Sequence, residues 1–231
     1  MTLRAFGLEI EAVVFDVDGV LLDTAAGWTR TEEAFCAAYS VEYTPELAAG
    51  THGVGLEDSI AVLTSGAPGT VEPVAAAALL RRLAEEHVPL AALPMNGTLE
   101  AVEHLRQRIP VAIASNSERP LLERLLEASG HAGLVDVVVS ASDVAAPKPA
   151  PDVYLAAIAR LGVPAAATLV VEDSATGAAA ALAAGCPVVH FAPEDGTAPI
   201  RQAVATVRTH HDLLSQLGLQ PLADTDRKGR T

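Results

Sequence analysis

Lysine is nearly missing from this chain: Lys148 and Lys228 stand against thirteen arginines in 231 residues. Cysteine is as scarce. Cys36 and Cys186 lie far apart and form no C-x-x-C pair, which excludes a disulfide framework and makes reduced thiols in a cytoplasmic setting the expectation. No apolar run approaches the roughly 20 residues that a bilayer crossing needs. The opening MTLRAFGLEIEAVVF places Glu9 and Glu11 where an export signal would be apolar, and it has no small-residue cleavage site, so no export signal is expected. Positive charge is short overall, with 15 Lys+Arg against 29 Asp+Glu and a formal net charge of -14. That field repels nucleic acid and anionic membranes, so neither is an expected partner. An anionic substrate would need a local counter-charge.

What is present is an ordinary globular balance, with 50% hydrophobic and 19% charged residues, long enough for a sizeable core. Alanine-rich, lysine-poor usage points to a GC-rich bacterial genome. Five β-branched runs predict strands: Val13–Phe15, Val111–Ala114, Val135–Val139, Thr168–Val171 and Pro187–Phe191. Helical patterns over Pro120–Ser129, Pro151–Leu161 and Ser174–Ala184 separate the later ones. Strand alternating with helix predicts a parallel sheet covered on both faces. The first strand breaks the rhythm, because residues 24–91 carry only helical patterns, over Thr29–Tyr39, Leu56–Leu63 and Val71–His87. The expectation is an α/β, Rossmann-like three-layer core from residues 1–22 and 92–222. A small all-helical cap (23–91) is inserted after the first strand, and a disordered tail covers 223–231.

Open parallel sheets bind ligands beyond the carboxyl ends of their strands. The first strand, AVVF, ends in Asp16 and Asp18 and turns at Gly19. The second ends in Ser115-Asn116-Ser117, and the fourth ends in Glu172-Asp173. Lys148 stands between two prolines before a helix, and their rings restrict the backbone that aims it. Two carboxylates about 4 Å apart repel by about 4 kcal/mol at an effective dielectric near 20. Four in one crevice call for a counter-ion, and hard oxygen ligands suit Mg²⁺. A metal and Lys148 together would make the crevice attractive to an anion despite the net charge.

FDVDGVLLDT, IASNS, APKPAPDVY and VVEDSATG, in that order, resemble the four motifs of the haloacid dehalogenase-like superfamily. The resemblance spans residues 12–192 and is strongest to the β-phosphoglucomutase and phosphoglycolate phosphatase group. It implies Asp16 as nucleophile and Asp18 as general acid and then base. It implies Mg²⁺ held by Asp16, by the backbone carbonyl of Asp18 and by Glu172 and Asp173. Ser115, the Asn116 backbone and Lys148 would bind the phosphoryl oxygens. The implied activity is a Mg²⁺-dependent phosphatase on a small organic phosphate monoester, with a sugar-phosphate mutase as the alternative. The implied partner is a small phosphorylated metabolite; monomer and dimer both stay open.

The cap should select the substrate. Where phosphomutases of the group carry a lysine and an arginine around the cap glycine, this chain has His52 and Leu56, and Trp28 replaces a histidine of the first cap helix. Loss of a second cationic site favours a phosphatase. Trp28 stays open between a pocket wall and a cap-core residue, and His52 between the site and the surface. Thr24 is read as a hinge residue at the cap boundary, Asp152 as a helix cap, Asp143 as a supporting or helix-start group, and His190, His210 and His211 as structural.

Overall fold

In the computed structural model, which describes residues 2–193 and 199–220, the chain opens with a hairpin, β1 (Leu3–Ala5) and β2 (Leu8–Ile10). Phe6 and Gly7 both take positive φ in its turn, as a two-residue hairpin requires. Strand β3 (Ala12–Phe15) follows and is wholly buried. The two-residue strand β4 (Leu22–Asp23) leads into four helices: α1 (Ala25–Ala38), α2 (Pro45–Thr51), α3 (Leu56–Leu63) and α4 (Pro73–Ala91). Strand β5 (Leu93–Pro94) then pairs antiparallel with β4, so a two-residue ribbon brackets the helical segment.

The chain returns through α5 (Thr98–Arg106), β6 (Val111–Ser115), α6 (Arg119–Ala128), β7 (Val137–Ser140), α7 (Asp152–Leu161), β8 (Thr168–Glu172), α8 (Ala175–Ala183) and β9 (Val188–Phe191). It ends, among the described residues, with β10 (Ala205–Val207) and α9 (His210–Gln216). Six strands form one parallel sheet in the order β10-β9-β8-β3-β6-β7, as the alternating pattern predicts. Because side chains alternate along a strand, Val13 and Phe15 pack with α5, α6 and α9 on one face. Val14 packs with Val153, Tyr154 and Ala157 of α7 and the alanines of α8 on the other. The α1–α4 segment has its own core around Phe35, Leu63, Leu80 and Leu83.

Several elements differ from expectation. The strand predicted from residue 135 begins at Val137, because Asp136 turns its carboxylate onto the backbone N–H of Val111 at 2.9 Å. The helix predicted over Val71–His87 starts at Pro73, where the Glu72 side chain caps the N–H groups of Val74 and Ala75, and runs on through Pro89. Proline removes a donor and crowds the preceding turn, and this one lies in the last turn, where the helix is ending. Helix α2 was not foreseen, although Thr44 caps it and Pro45 opens it. Asp152 is not a cap: Pro151 holds that position without a side-chain bond, and Asp152 is the first helical residue. The tail at 223–231 lies outside the described residues. No described helix is long and apolar enough to cross a membrane.

Candidate active site

Strand β3 delivers Asp16 to the centre of the sheet's carboxyl edge, where its backbone N–H still joins the ladder, bonding to Val171 O at 3.1 Å. The chain then turns. Gly19 takes φ +78, and a methyl group there would lie 1.9 Å from Asp173 Oδ2. Only glycine accepts that backbone conformation and leaves room for the carboxylate. Gly177 of α8 does the same for Glu172, since a methyl there would lie 1.7 Å from Oε1.

Lys148 is 2% exposed and uses all three ammonium donors: Asp16 Oδ1 at 2.5 Å, Glu172 Oε1 at 2.7 Å and Ala114 O at 2.9 Å. Its ammonium also sits 4.8 Å from the centre of the Tyr154 ring. Asn116 aims it, accepting from Lys148 N at 2.8 Å and donating to Lys148 O at 3.1 Å. The same amide donates to Gly53 O at 3.1 Å, tying the loop before α3 to the sheet edge. Glu172 is saturated. Oε1 also accepts from Tyr154 Oη at 2.7 Å, and Oε2 accepts from Ser174 N and Oγ at 3.1 and 3.0 Å. Ser115 is fully buried, and its hydroxyl accepts from Ser117 N at 3.0 Å.

The electrostatics follow from burial. Desolvation pushes the Asp16 carboxyl up to about 8, with Lys148 opposing and Glu172 and Asp18 adding to the rise. Desolvation, then the neighbouring carboxylates Asp16, Glu172 and Asp18, push Asp173 up to about 9. Burial also disfavours the charge of Glu172, but Lys148 and the surrounding donors outweigh it and hold that group below its usual range. For Lys148 itself the attraction of Asp16 and Glu172 overcomes desolvation and keeps it protonated. One lysine therefore settles one carboxylate and leaves the cluster short of positive charge.

The donor set fits a hard divalent cation. Oxygens of Asp16, Glu172 and Asp173 lie within 4.8 Å of one another, all of them carboxylates. The Asp18 side chain is not in that group. Its Oδ1 accepts from Thr24 Oγ1 at 2.6 Å and Trp28 Nε1 at 2.8 Å, and its Oδ2 accepts from Ser117 Oγ at 3.3 Å. Thr24, read as a hinge residue, and Trp28, left open between pocket wall and cap core, both line the cavity and turn their donors onto Asp18. Across the opening, His52 Nε2 stands 3.6 Å from Asp173 Oδ2 with its side chain 59% exposed. Leu56 begins α3 and lines the same cavity of about 650 Å³.

Ser117, named at the second strand end, joins the network through Asp18. Sequence reasoning missed Tyr154 and Ser174 as members of it. Both stand inside quoted motifs, but a helix tyrosine or an N-cap serine has a sufficient structural role of its own. Elsewhere, Asp143 bonds Ser140 N and pairs with Arg119 and Arg160, away from the site. His190 and His210 are buried, as a structural reading requires, and His211 reaches Glu100 at 3.6 Å.

A strand-end carboxylate cluster with one buried lysine, facing a cavity under helices, is the setting in which the comparisons with known proteins fall. The family model of the haloacid dehalogenase-like hydrolases matches residues 10–185, and this chain belongs to that family. It is thus a hydrolase by family. It is similar to a phosphorylated carbohydrates phosphatase of Thermotoga maritima, 31% identical over 90% of this chain and 98% of that one. It is also similar to protein CbbY of Rhodobacter capsulatus, 31% identical over 79% of this chain and 85% of that one. Among solved structures, a variant of CbbY from Rhodobacter sphaeroides in complex with xylulose-1,5-bisphosphate superposes with a TM-score of 0.75 at 26% identity, covering 90% of this chain and 99% of that one.

Proposed function

We propose that this chain is a Mg²⁺-dependent phosphatase that hydrolyses a small organic phosphate monoester, a sugar phosphate or similar, through an aspartyl-phosphate. The observation that carries the reading is Lys148, buried and bonded at once to Asp16 and Glu172, with Asp173 beside them. Asp16 and Asp173, with the backbone carbonyl of Asp18 and with Glu172 once it gives up one of its present donors, would hold the cation. When bound it supplies the positive charge that the cluster lacks and that a phosphoryl group needs.

Lys148 occupies one oxygen of Asp16, and the other is the nucleophile. Asp16 attacks phosphorus as the ester oxygen leaves, and Asp18 gives that oxygen its proton. Asp18 then takes a proton from water, which attacks the same phosphorus, frees Asp16 and releases phosphate. Thr24, Trp28 and Ser117 fix Asp18 against drift, which matters because a displaced group of 1 Å can cost about 100-fold. The main-chain groups of Asn116 would meet the phosphoryl oxygens, and the ammonium of Lys148 would join them by giving up one of its three present bonds, with Ser115 supporting the loop. The helical segment serves as the cap. Its His52 and Leu56 stand where a mutase of the group would offer two cations, which favours water as the final acceptor.

The test is phosphate release across sugar monophosphates, phosphoglycolate and nucleotide monophosphates, with Mg²⁺ and then with excess chelator. Release that stops with chelator and returns with Mg²⁺ is expected; full turnover in chelator refutes the reading. Conversion of β-glucose 1-phosphate to glucose 6-phosphate with a bisphosphate activator, without phosphate release, would instead make it a mutase.

A further inference from the structure

The cavity bounded by the sheet edge and the helical segment limits what can be attached to the phosphate. Three basic side chains line it among the described residues: Lys148, His52 and Arg81. Each already faces a carboxylate. Lys148 is bonded to Asp16 and Glu172, and His52 stands 3.6 Å from Asp173. Arg81 of α4 reaches across to Glu118, the residue that caps α6, with Nε at 2.7 Å from Oε2 and Nη2 at 2.9 Å from Oε1. That is a two-pronged pair in which the planar guanidinium is matched to one carboxylate. Two further carboxylates, Glu32 and Glu85, line the same helical side. Glu32 is 8% exposed and accepts from Tyr43 Oη at 2.6 Å.

From this juxtaposition we propose that the substrate carries its reacting phosphoryl group as its only anion, on a neutral hydroxylated remainder. The cavity then selects against bisphosphates and against esters that bear a carboxylate. The inference rests on the phosphatase reading and narrows its substrate. A second phosphate lodged at the helical side would have to break the Arg81–Glu118 fork. It would then lie beside the freed Glu118 carboxylate, and like charges brought together repel. A hydroxylated ring meets no such conflict. Its hydroxyls donate to the same carboxylates, and its C–H faces lie against Leu80, Leu121 and the Trp28 ring, all of which line the cavity. The bisphosphate carried by the Rhodobacter sphaeroides CbbY variant makes the contrast sharp, since the proposal says this cavity rejects that substrate class.

The experiment compares matched pairs, fructose 6-phosphate with fructose 1,6-bisphosphate and xylulose 5-phosphate with xylulose 1,5-bisphosphate, together with phosphoglycolate. In the native protein the monophosphates should exceed their bisphosphates and phosphoglycolate in kcat/KM by about tenfold or more. Glu118→Gln, which leaves Arg81 uncompensated, should narrow that ratio about fivefold by improving the bisphosphates. Arg81→Gln should keep or widen it. Equal or better turnover of bisphosphates by the native protein overturns the proposal, and so does a selective loss of bisphosphate turnover in Arg81→Gln. Binding to Asp16→Asn with Mg²⁺, followed by calorimetry, reads the same preference without turnover. If no ester is cleaved at all, the phosphatase reading fails; equal binding of both members of a pair defeats the selectivity on its own.

Discussion

The two sides of the cavity are built on opposite plans. On the sheet side, Asp16, Lys148 and Glu172 are buried, and Glu172 and Lys148 use every donor or acceptor they have within 3.1 Å. On the helical side, His52 is more than half exposed and reaches its partner only at 3.6 Å, Leu56 is half-buried, and Arg81 is held by a single carboxylate. Adjacent parallel strands fix their ends by main-chain ladders, so side chains there inherit the sheet's rigidity. Helices joined by loops do not confer that. On the proposed reading, the chemistry is placed on the part held by the ladders, and recognition of the remainder is left to the helical part.

The sharpest way to break this contrast is Asp16→Asn. It should lower kcat by about 10⁴-fold or more while circular dichroism and the urea midpoint report an intact fold; retained turnover would remove Asp16 from the chemistry. Next is Lys148→Met. It leaves Asp16 and Glu172 buried beside each other without a cation, so stability should fall by about 3–5 kcal/mol, read from urea unfolding without Mg²⁺. A loss near zero would mean the sheet side is not organised by charge. Lys148→Arg should not restore the native value, because a guanidinium cannot fit a pocket shaped for three converging ammonium bonds.

His210 probes the sheet side away from the site. It is buried between Phe15 and Phe191, with ring centroids 6.3 and 4.8 Å away, and burial pushes its pKa down to about 4. Between pH 6.5 and about 4 the unfolded chain therefore takes a proton that the folded one refuses, so this contribution to stability rises with pH and is lost on acidification. His210→Phe should gain on the native protein by up to about 3 kcal/mol as the pH falls through that window. Taking the difference at each pH cancels the other titrating groups; a constant difference would contradict a neutral buried ring. The smallest effect sharpens the helical side. Trp28→Phe keeps a ring but removes the donor to Asp18, and kcat should fall about tenfold with KM and thermal midpoint little changed. Trp28→His, which can donate again, should recover part of it. A change in KM alone would make Trp28 a wall and not a positioning residue.

The same divide decides what could be read from the sequence. Asp16, Glu172 and Asp173 were legible because strand ends in a parallel sheet meet at one edge and each follows a recognisable β-branched run, and Lys148 because it is one of two lysines and stands between two prolines. Trp28 was legible as unusual but not as a donor to Asp18, since the approach of α1 to the sheet depends on helix packing that no local pattern encodes. The Arg81–Glu118 fork joins residues 37 positions apart on two helices, and a lone arginine on an amphipathic helix carries no sign of its partner. The short strands β4, β5 and β10 were invisible because two or three residues show no period.

The ribbon of β4 and β5 gives the last consequence. Leu22 pairs with Pro94 and Asp23 with Leu93, so the outgoing and returning connections of the helical segment are stitched into one strap. Any swing of α1–α4 away from the sheet would have to bend both tethers together, about a single axis. A product could then depart by one rigid tilt, and the aspartate upstream of the strap would keep its place from one turnover to the next.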